Sequence, residues 1–233
     1  WCGETRGTDD VEHGRTTLAR HKVVYAYAAG APNRLAQFDD LIQKTAEWVA
    51  GRFLQGTDGQ LGIRFDYGTS CGPQYLDILT LQLPQGTVGP IAVRDALLAA
   101  RASLGLDRGV WDWLVFADVP SGNGNYAEAF MEPSLSTEPD PRLNPHSRSD
   151  HLAILWPGAF QGIGEGYTAY AATHEILHTM GAVLPGAPHA TSWFHCTDGI
   201  SMLCYDDGSS EGESYTGTRC PAGDDNPKTL AAF

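Results

Sequence analysis

Residues 174–181 read His-Glu-Ile-Leu-His-Thr-Met-Gly, and no other stretch constrains the fold as strongly. Two histidines four positions apart on a helix lie one turn and about 5–6 Å from each other, so the rings of His174 and His178 can reach one cation from one face. Glu175 follows the first histidine and projects beside that position, where a carboxylate can hold and deprotonate a metal-bound water. Gly181 accepts the left-handed backbone that closes a helix, and Pro185 and Pro188 forbid its continuation. The helix must therefore stop just past the second histidine, and the chain must double back beneath it.

Two ligands leave a catalytic zinc site incomplete, because such sites use three protein ligands and one open position for water. His189 and His195 both follow the turn and are the two candidates for the third ligand. His195 directly precedes Cys196, and a crosslink there would fix the backbone that presents the imidazole. We favour His195, with His189 the alternative and otherwise a surface or supporting residue. His13, His21, His146 and His151 lack partners at ligand spacing and read as surface or internally satisfied histidines. The acidic pairs Asp206–Asp207 and Asp224–Asp225 could bind calcium, but no calcium-loop spacing accompanies them. No G-x-S-x-G elbow occurs, which argues against an α/β-hydrolase.

The remaining composition narrows partners and setting. A net charge of −13 argues against nucleic acid, whose affinity comes from lysine and arginine displacing counterions. At most it biases the protein toward neutral or basic polypeptides. No apolar run is long enough to span a membrane, and none stands at the N-terminus, so any signal peptide or propeptide has been removed. Five cysteines, Cys2, Cys71, Cys196, Cys204 and Cys220, contain no C-x-x-C pair. They read as disulfide-forming, with one left over, and imply a secreted, extracellular protein.

Periodicity predicts alternating strands and helices up to residue 182. Strands are expected at Lys22–Ala29, Leu61–Tyr67, Tyr75–Leu83, Trp111–Val119 and His151–Trp156. An amphipathic helix follows Asn33, a second spans Pro90–Gly105, and Tyr167–Ala182 carries the histidine motif. The first twenty residues read as a polar arm, and the four prolines between Glu132 and Asp150 predict a surface loop. The expected fold is α/β: a mixed twisted sheet with two packing helices and an active-site helix. It forms one domain over 1–233, with an upper lobe at 21–182 and a small irregular lower lobe at 183–233.

His174, Glu175, His178 and Gly181 resemble the metzincin clan of zinc endopeptidases, whose pattern is H-E-x-x-H-x-x-G-x-x-H/D followed by a methionine-bearing turn. The last ligand position of that pattern falls on Leu184, so the usual spacing is broken. The stretch A-P-H-A-T-S-W-F-H-C-T-D-G-I-S-M-L-C-Y at 187–205 is more similar to a group of secreted actinobacterial zincin-like proteins with an insertion after the glycine. That resemblance implies a zincin-like α+β fold, Zn2+ bound by His174, His178 and the third histidine, and hydrolysis of polypeptides by a monomer with Glu175 as general base. It further implies that Met202 or Leu203 forms the floor beneath the ligands. Tyr205 then either reaches the metal or the oxyanion, or packs with its hydroxyl on a backbone carbonyl. Substrate would lie extended along a sheet edge, for which 122–130 is a candidate. Two other functions compete: a zincin-like binding module with a structural zinc and no turnover, and zinc-dependent hydrolysis of something other than a peptide.

Overall fold

The computed structural model describes residues 20–60, 62–104, 111–130, 151–162, 164–183, 189–197 and 202–204. The expected N-terminal arm, the whole of the proline-bearing loop and Tyr205 lie outside them. The elements are β1 (Arg20–Ala28), α1 (Leu35–Gly56), β2 (Tyr67–Thr69), β3 (Gly72–Leu76), β4 (Ile78–Leu83), α2 (Pro90–Ser103), β5 (Trp111–Asp118), β6 (Ala127–Phe130), β7 (Leu152–Leu155), α3 (Pro157–Phe160) and α4 (Glu165–Thr179). Strands β4, β1, β5, β7 and β6 form one sheet in that order, and β2 pairs with β3 in a separate hairpin. The first four are mutually parallel, while β6 runs antiparallel to β7 and closes one edge. The fold is thus the α/β architecture expected, with a mostly parallel sheet.

Unbroken apolar strands suit a sheet covered on both faces. Val23 and Tyr25 of β1, with Leu114 and Phe116 of β5, face a core made with α1, α3 and α4. Val24 and Ala26, with Trp113 and Val115, face a second core made with α2. The sheet therefore sits between α1 and α4 on one side and α2 on the other. Helix α1 buries Ile42, Ala46, Val49 and Phe53, which lie three or four residues apart on one face. Asn33 supports its start by accepting a hydrogen bond from the Leu35 N–H at 2.9 Å.

The segment Leu61–Tyr67, expected as a strand, forms little ladder. Phe65 makes an isolated bridge to His21, and regular pairing begins at Tyr67. Its alternating apolar residues Ile63 and Phe65 are nonetheless buried, so core packing satisfies the pattern with a single bridge in place of a ladder. Beside it, the Lys22 ammonium lies 2.7 Å from Asp66 and 2.8 Å from Asp77, with all three side chains buried. This ion triad ties β1 to the strand segments that flank it. His21 and His151 are also buried, on either side of Asp112, at 4.0 Å and 3.3 Å from its carboxylate.

Helix α4 packs against α1, α3, β6 and β7. Its C-terminus closes as Gly181 requires: at φ +74° that residue donates its N–H to the His178 carbonyl at 2.9 Å, and Ala182 donates to Leu177 at 3.1 Å. This pair of bonds is a Schellman cap, which satisfies carbonyls that would otherwise be orphaned and turns the chain under the helix.

Candidate metal centre and cleft

The turn after α4 brings a third histidine to the first two. The Nε2 atoms of His174 and His178 are 3.0 Å apart, and Nε2 of His195 lies 3.3 Å from each. Three nitrogens bound to a tetrahedral zinc at roughly 2.0–2.1 Å would sit about 3.3 Å from one another, so the triangle has the right size. Among the described residues, these three form the group able to hold a metal ion. His189, the other candidate, is exposed at φ +61° and lies outside the cluster. Its carbonyl accepts from the Thr197 N–H at 2.9 Å, which places it as a backbone anchor.

The His174 ring and the loop that presents His195 are held by identifiable contacts. His174 Nδ1 lies 2.8 Å from the Met202 carbonyl, which can only accept, so Nδ1 carries the proton and Nε2 offers a lone pair to the centre of the triangle. Thr191 organises the loop that presents His195: its hydroxyl accepts from the N–H groups of Trp193 and His195, each at 3.2 Å, and its own N–H donates to the His195 carbonyl at 2.7 Å. The next residue, Cys196, is disulfide-bonded to Cys204, and its N–H donates to the Leu203 carbonyl at 2.9 Å. Leu203 is fully buried in the core beneath α4, while Met202 is half-buried and contributes the carbonyl that orients His174. Of the two residues expected to form the floor, Leu203 is the buried one, and Met202 acts on His174 through its backbone.

The electrostatics suit a metal. Burial holds His174 down to about 4, and His195 nearby acts in the same direction. Burial, with His174 and His195 as neighbours, holds His178 down to about 2. Both rings are therefore neutral at ordinary pH, the state in which imidazole binds a cation. Glu175 is buried beside them, with Oε1 4.0 Å from His174 Nε2. Burial, reinforced by the negative charge of Glu128, pushes its carboxyl well above the usual carboxylate range. A dication in the triangle would favour its ionised form again.

These residues line a cleft of about 1050 Å³. One wall is β6, the edge strand of the sheet, which falls within the 122–130 segment expected to form an edge. The other is the loop bearing Trp193 and Phe194. Three cleft tyrosines went unread in the sequence: Tyr126, Tyr167 and Tyr170. The signal was present in part, since Tyr167, Tyr170 and His174 share one helix face at spacings of three and four residues.

No family model matches the chain, and no curated protein matches it. Among solved structures it is similar to wild-type OgpA from Akkermansia muciniphila, at 6% identity and a TM-score of 0.41 over 72% of this chain and 49% of that one. It is also similar to metalloproteinase-II from Bacteroides fragilis, at 12% identity and 0.38 over 82% and 48%. A third is archaemetzincin from Methanopyrus kandleri, at 13% identity and 0.37 over 91% and 94%. The chain spans about half the length of the first two. Similarity this distant assigns the chain neither a family nor an activity.

Proposed function

We propose that the protein is a zinc-dependent endopeptidase in which His174, His178 and His195 hold the metal and Glu175 is the general base. The observation that carries this reading is the triangle of three buried Nε2 atoms, no more than 3.3 Å apart, with a buried carboxylate beside it on the floor of an open cleft. Zinc bound there supplies a water of lowered pKa and polarises the carbonyl under attack. Glu175 takes a proton from the attacking water and delivers it to the leaving amine. Its buried position keeps the carboxyl away from competing solvent. A polypeptide adds to β6, the edge strand of the sheet among the described residues, so main-chain hydrogen bonds hold the substrate extended across the cleft floor. The Cys196–Cys204 disulfide supports an extracellular, oxidising setting. A binding module with a purely structural zinc would have no chemical use for Glu175, and burying a carboxylate is costly.

The test is cleavage of a diverse peptide library by zinc-loaded protein, with and without a chelator, beside Glu175→Ala. Chelator-sensitive cuts absent from the zinc-replete variant support the reading. A Glu175→Ala protein that retains most of the activity removes that carboxylate from the mechanism.

A further inference from the structure

We infer that Tyr126, Tyr167 and Tyr170 form a stacking platform that selects substrates carrying a ring two or three residues from the scissile bond. The inference rests on the peptidase reading of the cleft and adds a substrate class to it. The three rings form a continuous series that ends at the metal cluster. Tyr126 and Tyr167 meet edge to face with centroids 5.8 Å apart, Tyr167 and Tyr170 are 6.4 Å apart, and Tyr170 and His174 are 6.3 Å apart.

The rings are held in place yet open. Tyr126 precedes the edge strand, and its carbonyl accepts from the Trp156 N–H at 2.9 Å. Its ring lies directly over Gly158, where a Cβ would come within 2.8 Å of it, so a glycine is needed there for the ring to settle. The Tyr170 hydroxyl donates to the Met202 carbonyl at 3.3 Å, the same oxygen that orients His174. Exposure is nonetheless 48%, 38% and 39% for the three rings, whereas Tyr25 of the core is wholly buried. Contiguous exposed aromatic surface is uncommon unless something covers it. Among the described residues, the carboxylates Glu128 and Glu175 are the acidic side chains lining the cleft, so an acidic occupant is disfavoured.

Helix geometry sets the distance. Tyr167 and His174 are seven residues apart, so the platform extends about 10 Å from the metal along α4. An extended substrate advances about 3.3 Å per residue, which places the selected ring at the second or third residue from the cut. Tyrosine faces attract C–H groups, which an aromatic ring presents at its edge and a sugar ring on one of its faces. An aromatic side chain or the sugar ring of a glycosylated residue would supply them.

The test uses peptides of one sequence with alanine, phenylalanine or O-glycosylated serine at the second or third residue on either side of the scissile bond. We expect zinc-loaded protein to cleave a ring-bearing peptide on the order of tenfold more efficiently in kcat/KM than its alanine counterpart. Which ring is preferred identifies the source. In Tyr126→Ala/Tyr167→Ala, and separately in Gly158→Ala, which displaces the Tyr126 ring without removing it, that ratio should fall towards one while zinc content is unchanged. Equal cleavage of all peptides by the unaltered protein, or a preference that survives in both variants, overturns the platform and leaves the peptidase reading intact. Calorimetric binding of the same peptides to zinc-loaded Glu175→Ala separates the opposite case: ring-selective binding with no cleavage by the unaltered protein supports the platform and contradicts the peptidase reading.

Discussion

The depressed titration of the central histidines has a consequence for the metal-free protein that can be worked through. His174 ionises at about 4 in the fold against 6.5 in an unfolded chain, mainly because burial opposes the charged ring. Its contribution to stability is therefore complete above pH 6.5 and is lost as the pH falls from there towards 4. With 1.36 kcal/mol per unit, moving from about pH 7 to about pH 5 removes roughly 2 kcal/mol through this one ring. Glu175 acts in the opposite sense, because its raised pKa lets the folded protein take up a proton that the unfolded chain does not yet bind. The comparison is therefore made between Glu175→Gln and Glu175→Gln/His174→Asn. The buried His21, which burial also depresses, is common to both and cancels. Urea unfolding in the presence of a chelator at the two pH values reads the difference. The protein that retains His174 should lose about 2 kcal/mol more on acidification, and somewhat more still because His178 is released from its neighbour in the double variant. Equal losses in the two proteins, within about 0.5 kcal/mol, would refute the claim that burial holds His174 neutral.

Three further outcomes are expected. Replacing Cys196 and Cys204 with alanine opens a loop with a sequence separation of 8, which should cost about 2–3 kcal/mol in thermal or urea unfolding and weaken zinc binding by loosening His195. Lys22→Met removes the ammonium that the two buried carboxylates Asp66 and Asp77 both contact, and urea unfolding should show a loss of roughly 3–5 kcal/mol. Gly181→Ala forces a Cβ into the left-handed region at φ +74° and should cost roughly 1–2 kcal/mol by the same measurement, with a lowered zinc affinity as the turn under α4 shifts.

What the sequence reveals follows the range of its physical signals. The helix bearing His174 and His178 was legible because 3.6-residue periodicity, the glycine and the prolines all act locally. Expected at Tyr167–Ala182, it runs from Glu165 to Thr179, and its cap falls at the anticipated glycine. The central strand at Trp111–Asp118 was legible because both faces are buried and its run is continuous. By contrast, alternation at Leu61–Tyr67 suggested a strand, since the pattern reports burial and not hydrogen bonding. The third histidine could be narrowed to two residues but not chosen by spacing, because an irregular turn has no period. It is the pairing of Cys196 with Leu203 and Cys204 that carries the His195 ring to the others. His21 and His151 lie inside the protein for a related reason: polar residues at the starts of buried strands carry no sign of what will cover them. Tyr126 joins Tyr167 only through the antiparallel placement of β6 and the gap at Gly158, which are long-range facts.

The central claim is tested most directly by counting zinc. After metal loading and exhaustive dialysis, the unaltered protein and His189→Ala should each retain one equivalent, while His195→Ala should retain little. Zinc held by His195→Ala and lost from His189→Ala would contradict the account, because the cluster of nitrogens on which it rests would not be the metal site.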